Sequence, residues 1–471
     1  IFIFSIIGTI IINIPLFDIS FQQDELDILK RVNLVTNTTQ FVQFFFTHHN
    51  EHLSYITYTI YFILYKTFAF TIIPFAILSL IINVLSSFVV YLIVLKLWKS
   101  SYKAIIAAYF FNLTNVYTLL EWKLVALQLG ISNLFLLLII LLFYQYSASQ
   151  DNKKFFYKYC SLFLVSVLSL GTFGSSLIVF VIAPAFAYLV LYKIEKIDKK
   201  LIIKYLLIIF MGSIIGFSLW FVKDGGGVHA EHYKAIGKAS AFDALNVFSG
   251  SVNSIKAMLR LCLKFLNPYV SILILIVMGI SIIRNFRRIN YQLILFLSVF
   301  IFASFFIALA FRSDWDNSYV WSRYYLIPSS GFCILVVCIL NPEIDILIRK
   351  NVKVLLGIIV VVGVVQIYLS FIKNIEVKKE YIEKNYDSLE KLKIEFKDLK
   401  LDYNGPMDIA DKTKRITKSE NVERLSQYIK LIDPSDKTIT WGQVTSPELT
   451  EYIIKNSERY KILSSLLLPS N

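Results

Sequence analysis

Long runs of apolar residues recur along nearly the whole sequence, and they constrain the fold more than any other feature. Each run has about 17–25 residues, the length at which an α-helix crosses the hydrocarbon core of a bilayer. The runs are unbroken, whereas the strands of a membrane barrel alternate polar and apolar residues. Only 17% of the 471 residues are charged, against about 25% in soluble domains. The sequence therefore predicts an all-α polytopic integral membrane protein.

The apolar runs predict about eleven transmembrane helices. They cover residues 1–16, 70–95, 104–120, 124–145, 157–171, 177–192, 202–221, 266–283, 291–311, 325–340 and 353–372. Alternate loops carry clusters of lysine and arginine, a bias that marks the cytoplasmic side. The N-terminus is thus expected inside and the C-terminus outside, in a bacterial plasma membrane. These loops also explain the formal net charge of +14, so we expect no nucleic-acid partner.

Two long loops face outward in this topology. The first, residues 17–69, has apolar residues at helical spacing and is expected to contain amphipathic helices on the membrane surface. The second covers residues 222–265. From Lys373 onward the sequence becomes charged and polar. We therefore divide the chain into a membrane domain, residues 1–372, and a small external C-terminal domain, residues 373–471.

The histidines of the chain all fall in these two outer loops, at His48, His49, His52, His229 and His232. If the segment His48-His-Asn-Glu-His52 is helical, His48 and His52 lie one turn apart and can hold a divalent metal. The same letters fit the inverted zinc-protease motif His-x-x-Glu-His. A third possibility is hydrogen bonding to a substrate hydroxyl or phosphate. The protease is the least favoured of the three, because the sequence shows neither a third zinc ligand nor a peptidase domain, and metal binding and hydrogen bonding to substrate both stay open.

Two further groups of residues suit chemistry at the outer membrane surface. Asp24 and Glu25 follow the first span closely, where a carboxylate can accept a proton from a hydroxyl that arrives from solution. Trp321-Ser-Arg323-Tyr324-Tyr325 leads into a late span, so Arg323 is predicted at headgroup depth with donors suited to phosphate. The alternatives are a solvated amphipathic face for the acidic pair and snorkelling for Arg323.

Together these motifs resemble the membrane glycosyltransferases of the glycosyltransferase C superfamily. The resemblance is carried by Asp24-Glu25 after span one, by Asn50-Glu51-His52 before span two, and by Ser322-Arg323-Tyr324 with Pro328. It implies transfer of a sugar from a polyprenyl-phosphate carrier to a glycan, lipid or protein acceptor of the cell envelope. Asp24 would be the general base and Glu25 its alternate. Substrate would be bound by His49, Asn50, Glu51, His52, Arg323 and Tyr324.

Two other functions compete with this hypothesis. A polysaccharide polymerase or ligase would depend on arginine and histidine in a long late loop, here residues 222–265. A non-enzymatic transporter of lipid-linked glycans would need no loop carboxylate. The spans hold almost no ionisable residues at mid-depth, where ion-coupled transporters keep charged relays. The transporter is therefore the less favoured class.

Overall fold

The computed structural model describes most of the membrane region in atomic detail. The described residues are 1–17, 28, 32, 35–46, 48–49, 52–68, 73–114, 123–148, 155–172, 174–218, 244–310 and 323–400. Within these ranges the chain is helical apart from one small β-hairpin. The prediction of an all-α chain is confirmed.

The helices are numbered along the chain within the described residues. They are α1 Phe2–Asn13, α2 Thr38–Phe45, α3 Tyr55–Phe68, α4 Ile73–Trp98, α5 Ser101–Asn112, α6 Lys123–Ala148, α7 Phe155–Leu170, α8 Val179–Phe186, α9 Lys199–Ser218, α10 Ala244–Lys264, α11 Pro268–Asn285, α12 Tyr291–Ala310 and α13 Leu326–Lys400. Two short strands, β1 His48–His49 and β2 His52–Leu53, lie between α2 and α3. Shorter helical turns cover Ile14–Leu16, Gly174–Ile178, Ala187–Ile194, Phe286–Arg288 and Arg323–Tyr325.

Several of these helices have the dimensions of membrane spans. In the part of the chain that the structure describes, five segments are long and apolar enough to cross a bilayer. They are Ile73–Trp98, Leu124–Ala148, Lys199–Ser218, Pro268–Arg288 and Leu326–Lys379. Four shorter apolar helices lie at Phe2–Leu16, Phe156–Leu170, Ser176–Tyr192 and Tyr291–Ile307. A multi-span membrane protein is thus supported, while the number of eleven crossings stays a prediction.

The last helix, α13, consists of two helices that meet at Asn351. The backbone of Asn351 is extended, with φ −162° and ψ 89°, and the predicted spans 325–340 and 353–372 fall on opposite sides of it. Beyond the second span the helix continues to Lys400. The lysine- and glutamate-rich segment after Lys373 is therefore helical. The remainder of the predicted external domain, residues 401–471, lies outside the described residues.

Small residues allow the closest helix packing. A side-chain carbon at Gly212 of α9 would come within 2.7 Å of the Phe163 carbonyl oxygen of α7. At Gly216, one turn later, it would come within 2.5 Å of the Val167 carbonyl oxygen. Because lipid provides no hydrophobic drive between helices, such close backbone contact is a main source of their association.

A polar cluster joins α5, α11 and α13 at one end of the bundle. The buried Lys103 ammonium lies 2.7 Å from an Asp345 carboxylate oxygen. Nearby, Glu343 accepts hydrogen bonds from Ser281 and Asn285. This end carries the basic loops and is therefore the predicted cytoplasmic end.

Candidate functional site

The histidine segment before α3 forms a hairpin rather than a helix. Strands β1 and β2 pair antiparallel, with His48 opposite Leu53 and His49 opposite His52. The helical spacing assumed for His48 and His52 is therefore wrong, and His49 is the register partner of His52. The physical reason is that α2 and α3 pack side by side, so the chain must reverse direction within the few residues between Phe45 and Tyr55.

The base of this hairpin is fixed to the membrane helices by hydrogen bonds. The Gln128 side-chain amide of α6 donates to the Ser54 hydroxyl oxygen at 3.1 Å. The Ile56 amide donates to the Gly171 carbonyl oxygen at 3.1 Å, in the turn after α7. Ser54 is completely buried, so it belongs to the bundle and not to an exposed loop.

Tyr55 adds an aromatic contact at the same place. Its hydroxyl donates to the Val167 carbonyl oxygen at 3.3 Å, and its ring covers Gly171, where an added side-chain carbon would lie 1.9 Å from the ring. Burial raises the pKa of Tyr55 to about 12. Tyr55 is therefore a neutral hydrogen-bond donor at physiological pH and holds position without carrying charge.

A cluster of buried hydroxyl groups lies beneath the hairpin. Ser132 of α6 and Thr172 share a hydrogen bond of 2.6 Å, and Thr172 is 3.2 Å from the Ser176 hydroxyl. These contacts tie α6 to the turn between α7 and α8. The hairpin is thus supported by a hydrogen-bonded network without charged groups. The hydroxyl groups of this network have partners in the low dielectric of a membrane protein.

Helix α6 also connects the hairpin to the segment that carries Arg323. The Ser330 hydroxyl at the start of α13 donates to the Asn133 side-chain oxygen at 3.1 Å, five residues along α6 from Gln128. Arg323, Tyr324 and Tyr325 form the single turn that precedes α13. The hairpin and this turn therefore lie at the same end of the bundle, opposite to the Lys103–Asp345 pair.

The acidic residues predicted to act in catalysis lie outside the described residues, as do Asn50 and Glu51. After Asp24 and Glu25, the next described residue in the sequence is Ile28. It is buried in a cluster with Val32, Phe44, Tyr58 and Leu127. This apolar cluster joins the first loop to α2, α3 and α6. Ile28, the first described residue after Asp24-Glu25 in the sequence, therefore packs on the same helices that support the hairpin.

A basic residue not predicted from the sequence also lies at this end. Arg260 of α10 is half-buried, and its Nη1 atom lies inside the protein. Helix α10 packs on α11 and α12. In the sequence, Arg260 is marked only as a basic residue of an amphipathic segment that precedes a span.

For the divalent metal, the hairpin offers two histidines at partner positions, His49 and His52. Among the described residues, no group of three or more histidine, cysteine, aspartate or glutamate side chains is close enough to hold an ion. Two imidazoles match the preference of zinc for nitrogen ligands, and further ligands would complete a site. A metal at the hairpin stays a prediction.

No protein-family model matches the sequence, and a comparison with curated proteins finds no match. Solved structures of an oligosaccharyltransferase from Archaeoglobus fulgidus share its helix arrangement. One, tethered with an acceptor peptide containing the NVT sequon, aligns over 88% of this chain and 58% of its own, with 13% identity and a TM-score of 0.50. This chain shares its fold with that oligosaccharyltransferase.

The expected resemblance to the glycosyltransferase C superfamily is therefore confirmed for the fold. A second structure, the oligosaccharyltransferase AglB with an inhibitory peptide and a dolichol-phosphate, aligns over 91% of this chain and 58% of its own, with 12% identity and a TM-score of 0.49. A third, in complex with Zn and sulfate, aligns over 87% and 56%, with 13% identity and a TM-score of 0.49. The chain spans less than two thirds of the length of these enzymes.

Proposed function

We propose that this protein is a membrane glycosyltransferase that moves a sugar from a polyprenyl-phosphate carrier to a cell-envelope acceptor at the outer membrane face. One observation carries the proposal. Helix α6 binds the base of the histidine hairpin through Gln128 and the start of α13 through Asn133. Ser54, which follows the Asn50-Glu51-His52 motif in the sequence, and Ser330, which follows Arg323-Tyr324, are thereby attached to the same end of one helix.

In the proposed reaction the acceptor hydroxyl oxygen attacks the anomeric carbon of the donor sugar. The bond from that carbon to the phosphate oxygen breaks, and the carrier leaves as polyprenyl phosphate. The Asp24 carboxylate takes the proton of the hydroxyl, and Glu25 is the alternate base. Because polyprenyl phosphate is a good leaving group, the protein mainly orients the acceptor and stabilises the charge on the departing phosphate.

Arg323 and Tyr324 are the proposed phosphate contacts. A guanidinium presents a planar fork of donors that matches phosphate geometry. Tyr324 is buried at the start of the last spans, with 8% of its surface exposed, which suits a residue that lines a binding site and not one that faces lipid. In the hairpin, His49, Asn50, Glu51 and His52 are proposed to orient the substrate.

A direct test uses membranes that contain the protein and a radiolabelled polyprenyl-phosphate sugar. We expect release of polyprenyl phosphate by the wild type, near-complete loss of release in Asp24→Asn, and weaker donor binding in Arg323→Lys with normal membrane insertion. Mass spectrometry of surface glycans from a deletion strain identifies the acceptor class. Full activity in Asp24→Asn, Glu25→Gln and the double variant would contradict the proposal and favour a polymerase that depends on residues 222–265, or a transporter.

A further inference from the structure

Helix α2 presents a polar face to the outside, beside the histidine hairpin. Thr39, Gln43 and Phe46 follow each other at intervals of four and three residues, so they lie on one side of the helix and of the turn that ends it. Thr39 and Gln43 are exposed, and Phe46 is half-exposed. Another side of α2 carries Phe44, which is buried with its ring centroid 5.5 Å from that of Tyr58 in α3. The packing of Phe44 therefore fixes which side of α2 faces outward.

The part of the first loop that contains α2 is rich in uncharged polar residues. Residues 32–50 contain no aspartate, glutamate, lysine or arginine, whereas asparagine, glutamine, threonine and phenylalanine are frequent. About a quarter of the residues in a soluble domain are charged. A ligand that carries a phosphate or carboxylate is normally recognised by arginine or lysine. The composition of this segment therefore indicates a ligand that is polar but uncharged.

A chain of contacts holds the Phe46 ring in place. The ring meets that of Phe45 edge-on, with centroids 5.0 Å apart and an interplanar angle of 81°. The Phe45 ring in turn lies 5.1 Å from the Tyr55 ring, whose hydroxyl donates to the Val167 carbonyl oxygen. The Phe46 amide donates to the Val42 carbonyl oxygen at 3.2 Å. A half-exposed ring that is already fixed loses little conformational freedom when a ligand covers it.

A fixed ring beside neutral polar groups matches the chemistry of a sugar. A pyranose ring has an apolar face of C–H groups, which packs on an aromatic side chain, and a rim of uncharged hydroxyl groups. The Thr39 hydroxyl can both donate and accept, and the Gln43 amide has two donor hydrogens and an acceptor oxygen. Gln43 also interacts within the protein, and the several hydrogen-bonding positions of an amide allow it to bind a sugar hydroxyl in addition.

We propose that Thr39, Gln43 and Phe46 form a binding surface for a sugar ring of the acceptor, and that the acceptor is therefore a neutral glycan. The inference rests on the proposed function and selects one acceptor class among glycan, lipid and protein. Phe46 precedes the first hairpin residue, His48, by two positions, so a glycan on this surface lies beside the residues proposed to orient the substrate. The donor differs because its phosphate requires cations, which residues 32–50 do not supply.

Binding is tested with the full chain in phosphatidylcholine nanodiscs on a printed array of neutral and acidic oligosaccharides. The neutral oligosaccharide that binds best is then labelled with a fluorophore and titrated against each variant. We expect Phe46→Leu to weaken binding about tenfold, because an apolar side chain stays but the flat ring face is lost. Phe46→Trp keeps a ring and should bind like the wild type. Thr39→Val and Gln43→Leu should each weaken binding about three- to tenfold through loss of a neutral hydrogen bond.

Phe68→Leu provides the matched control, because Phe68 is an exposed phenylalanine at the far end of α3 and its replacement should leave glycan binding unchanged. Folding is monitored by the thermal unfolding of each variant, and Thr39→Val keeps the test decisive if Phe46→Leu unfolds. Unchanged affinity in the folded variants would overturn the proposal. Binding of no neutral oligosaccharide, or tighter binding of acidic ones, would also overturn it. So would equal weakening by Phe46→Leu and Phe68→Leu, because the two rings would then share a general role in contact with the bilayer.

The two proposals fail in different ways. In the transfer assay, Phe46→Leu should raise the KM for the acceptor and leave the KM for the polyprenyl-phosphate sugar unchanged. Glycan binding that depends on Phe46, together with full transfer in Asp24→Asn and Glu25→Gln, would support the binding surface and contradict the proposed base. Sugar transfer that requires Asp24, with the product on a peptide or lipid and normal kinetics in Phe46→Leu, would contradict only the glycan-binding surface.

Discussion

Gln128 in the first turns of α6 donates a hydrogen bond to the buried hydroxyl of Ser54, at 3.1 Å across 74 residues of sequence. Both side chains are nearly or completely buried. The pair fixes the residue that immediately follows the histidine hairpin. The position of the hairpin is therefore set by a membrane helix.

Removal of this hydrogen bond should destabilise the protein. Gln128→Met keeps the approximate volume of the side chain but leaves the Ser54 hydroxyl without this buried donor, which costs about 1–3 kcal/mol. We expect a lower midpoint of thermal unfolding in detergent and reduced glycan product. Gln292→Met, at an exposed position of α12, is the control and should unfold like the wild type. Equal unfolding midpoints for both variants would show that the pair does not stabilise the fold.

The predicted orientation can be tested by cysteine labelling. In a chain without Cys160, Cys262, Cys333 and Cys338, a cysteine at the exposed Thr39 of α2 should react with an impermeant thiol reagent in intact spheroplasts. A cysteine at the exposed Asn290 should react only after permeabilisation. The reverse pattern would invert the topology and remove the outer-face reaction. Ser54, which the sequence places in an outer loop, is unsuitable because it is buried.

The general base is tested by conservative substitution. Asp24→Asn preserves shape and removes basicity, and general base catalysis typically contributes about 10²- to 10⁴-fold. We expect that loss in initial rate of sugar transfer at normal protein level, a milder defect in Glu25→Gln and an intermediate one in His52→Ala. Loss of activity in Glu25→Gln with full activity in Asp24→Asn would exchange the roles of the two carboxylates.

Metal binding at the hairpin can be tested histidine by histidine, because the register distinguishes His49 and His52 from His48. If a divalent ion binds there, His49→Ala and His52→Ala should weaken zinc binding by similar factors, because these residues are partners in the ladder. His48→Ala, whose partner is Leu53, should have a smaller effect. Calorimetric titration with zinc measures all three. Equal dependence on His48 and His52 alone would restore the helical arrangement.

The reactivity of Cys262 should depend on pH in a predictable way. Burial raises the pKa of this thiol to about 11, and only the thiolate is a good nucleophile. Alkylation of Cys262 by iodoacetamide should therefore be slow at pH 8 and rise about tenfold per pH unit up to about pH 11. The exposed Cys160 serves as the internal comparison. A rate that levels off near pH 9 would show that Cys262 is accessible to water.

The helices could be predicted from sequence because the lipid environment imposes a local rule. An apolar run such as residues 202–221 must be helical, since its backbone groups have no water to bind, and α9 Lys199–Ser218 follows it closely. The charged segment after Lys373 has a helical pattern for similarly local reasons. In both cases the structural cause lies within the segment itself.

The arrangement around the hairpin could not be predicted in the same way. His48 and His52 fit a helix by spacing alone, and their true geometry depends on contacts of Ser54 and Ile56 with residues that are distant in sequence. Arg260 could not be identified for the same reason, because the burial of its side chain depends on the packing of α10 on α11 and α12. Candidate residues such as Asp24 and Arg323 were found from their positions relative to spans, and their roles stay predictions.

The helix from Asn351 to Lys400 is continuous, so a change in its length moves the residues that follow it. At about 1.5 Å per residue it extends roughly 70 Å, more than twice the hydrocarbon thickness of a bilayer. Each residue inserted between Lys373 and Lys400 would raise everything beyond it by about 1.5 Å and rotate it by about 100°. An insertion of seven residues nearly restores the original direction. Natural or engineered length changes in this segment should therefore be tolerated in steps of about seven, as long as residues 401–471 must face a fixed side of the membrane domain.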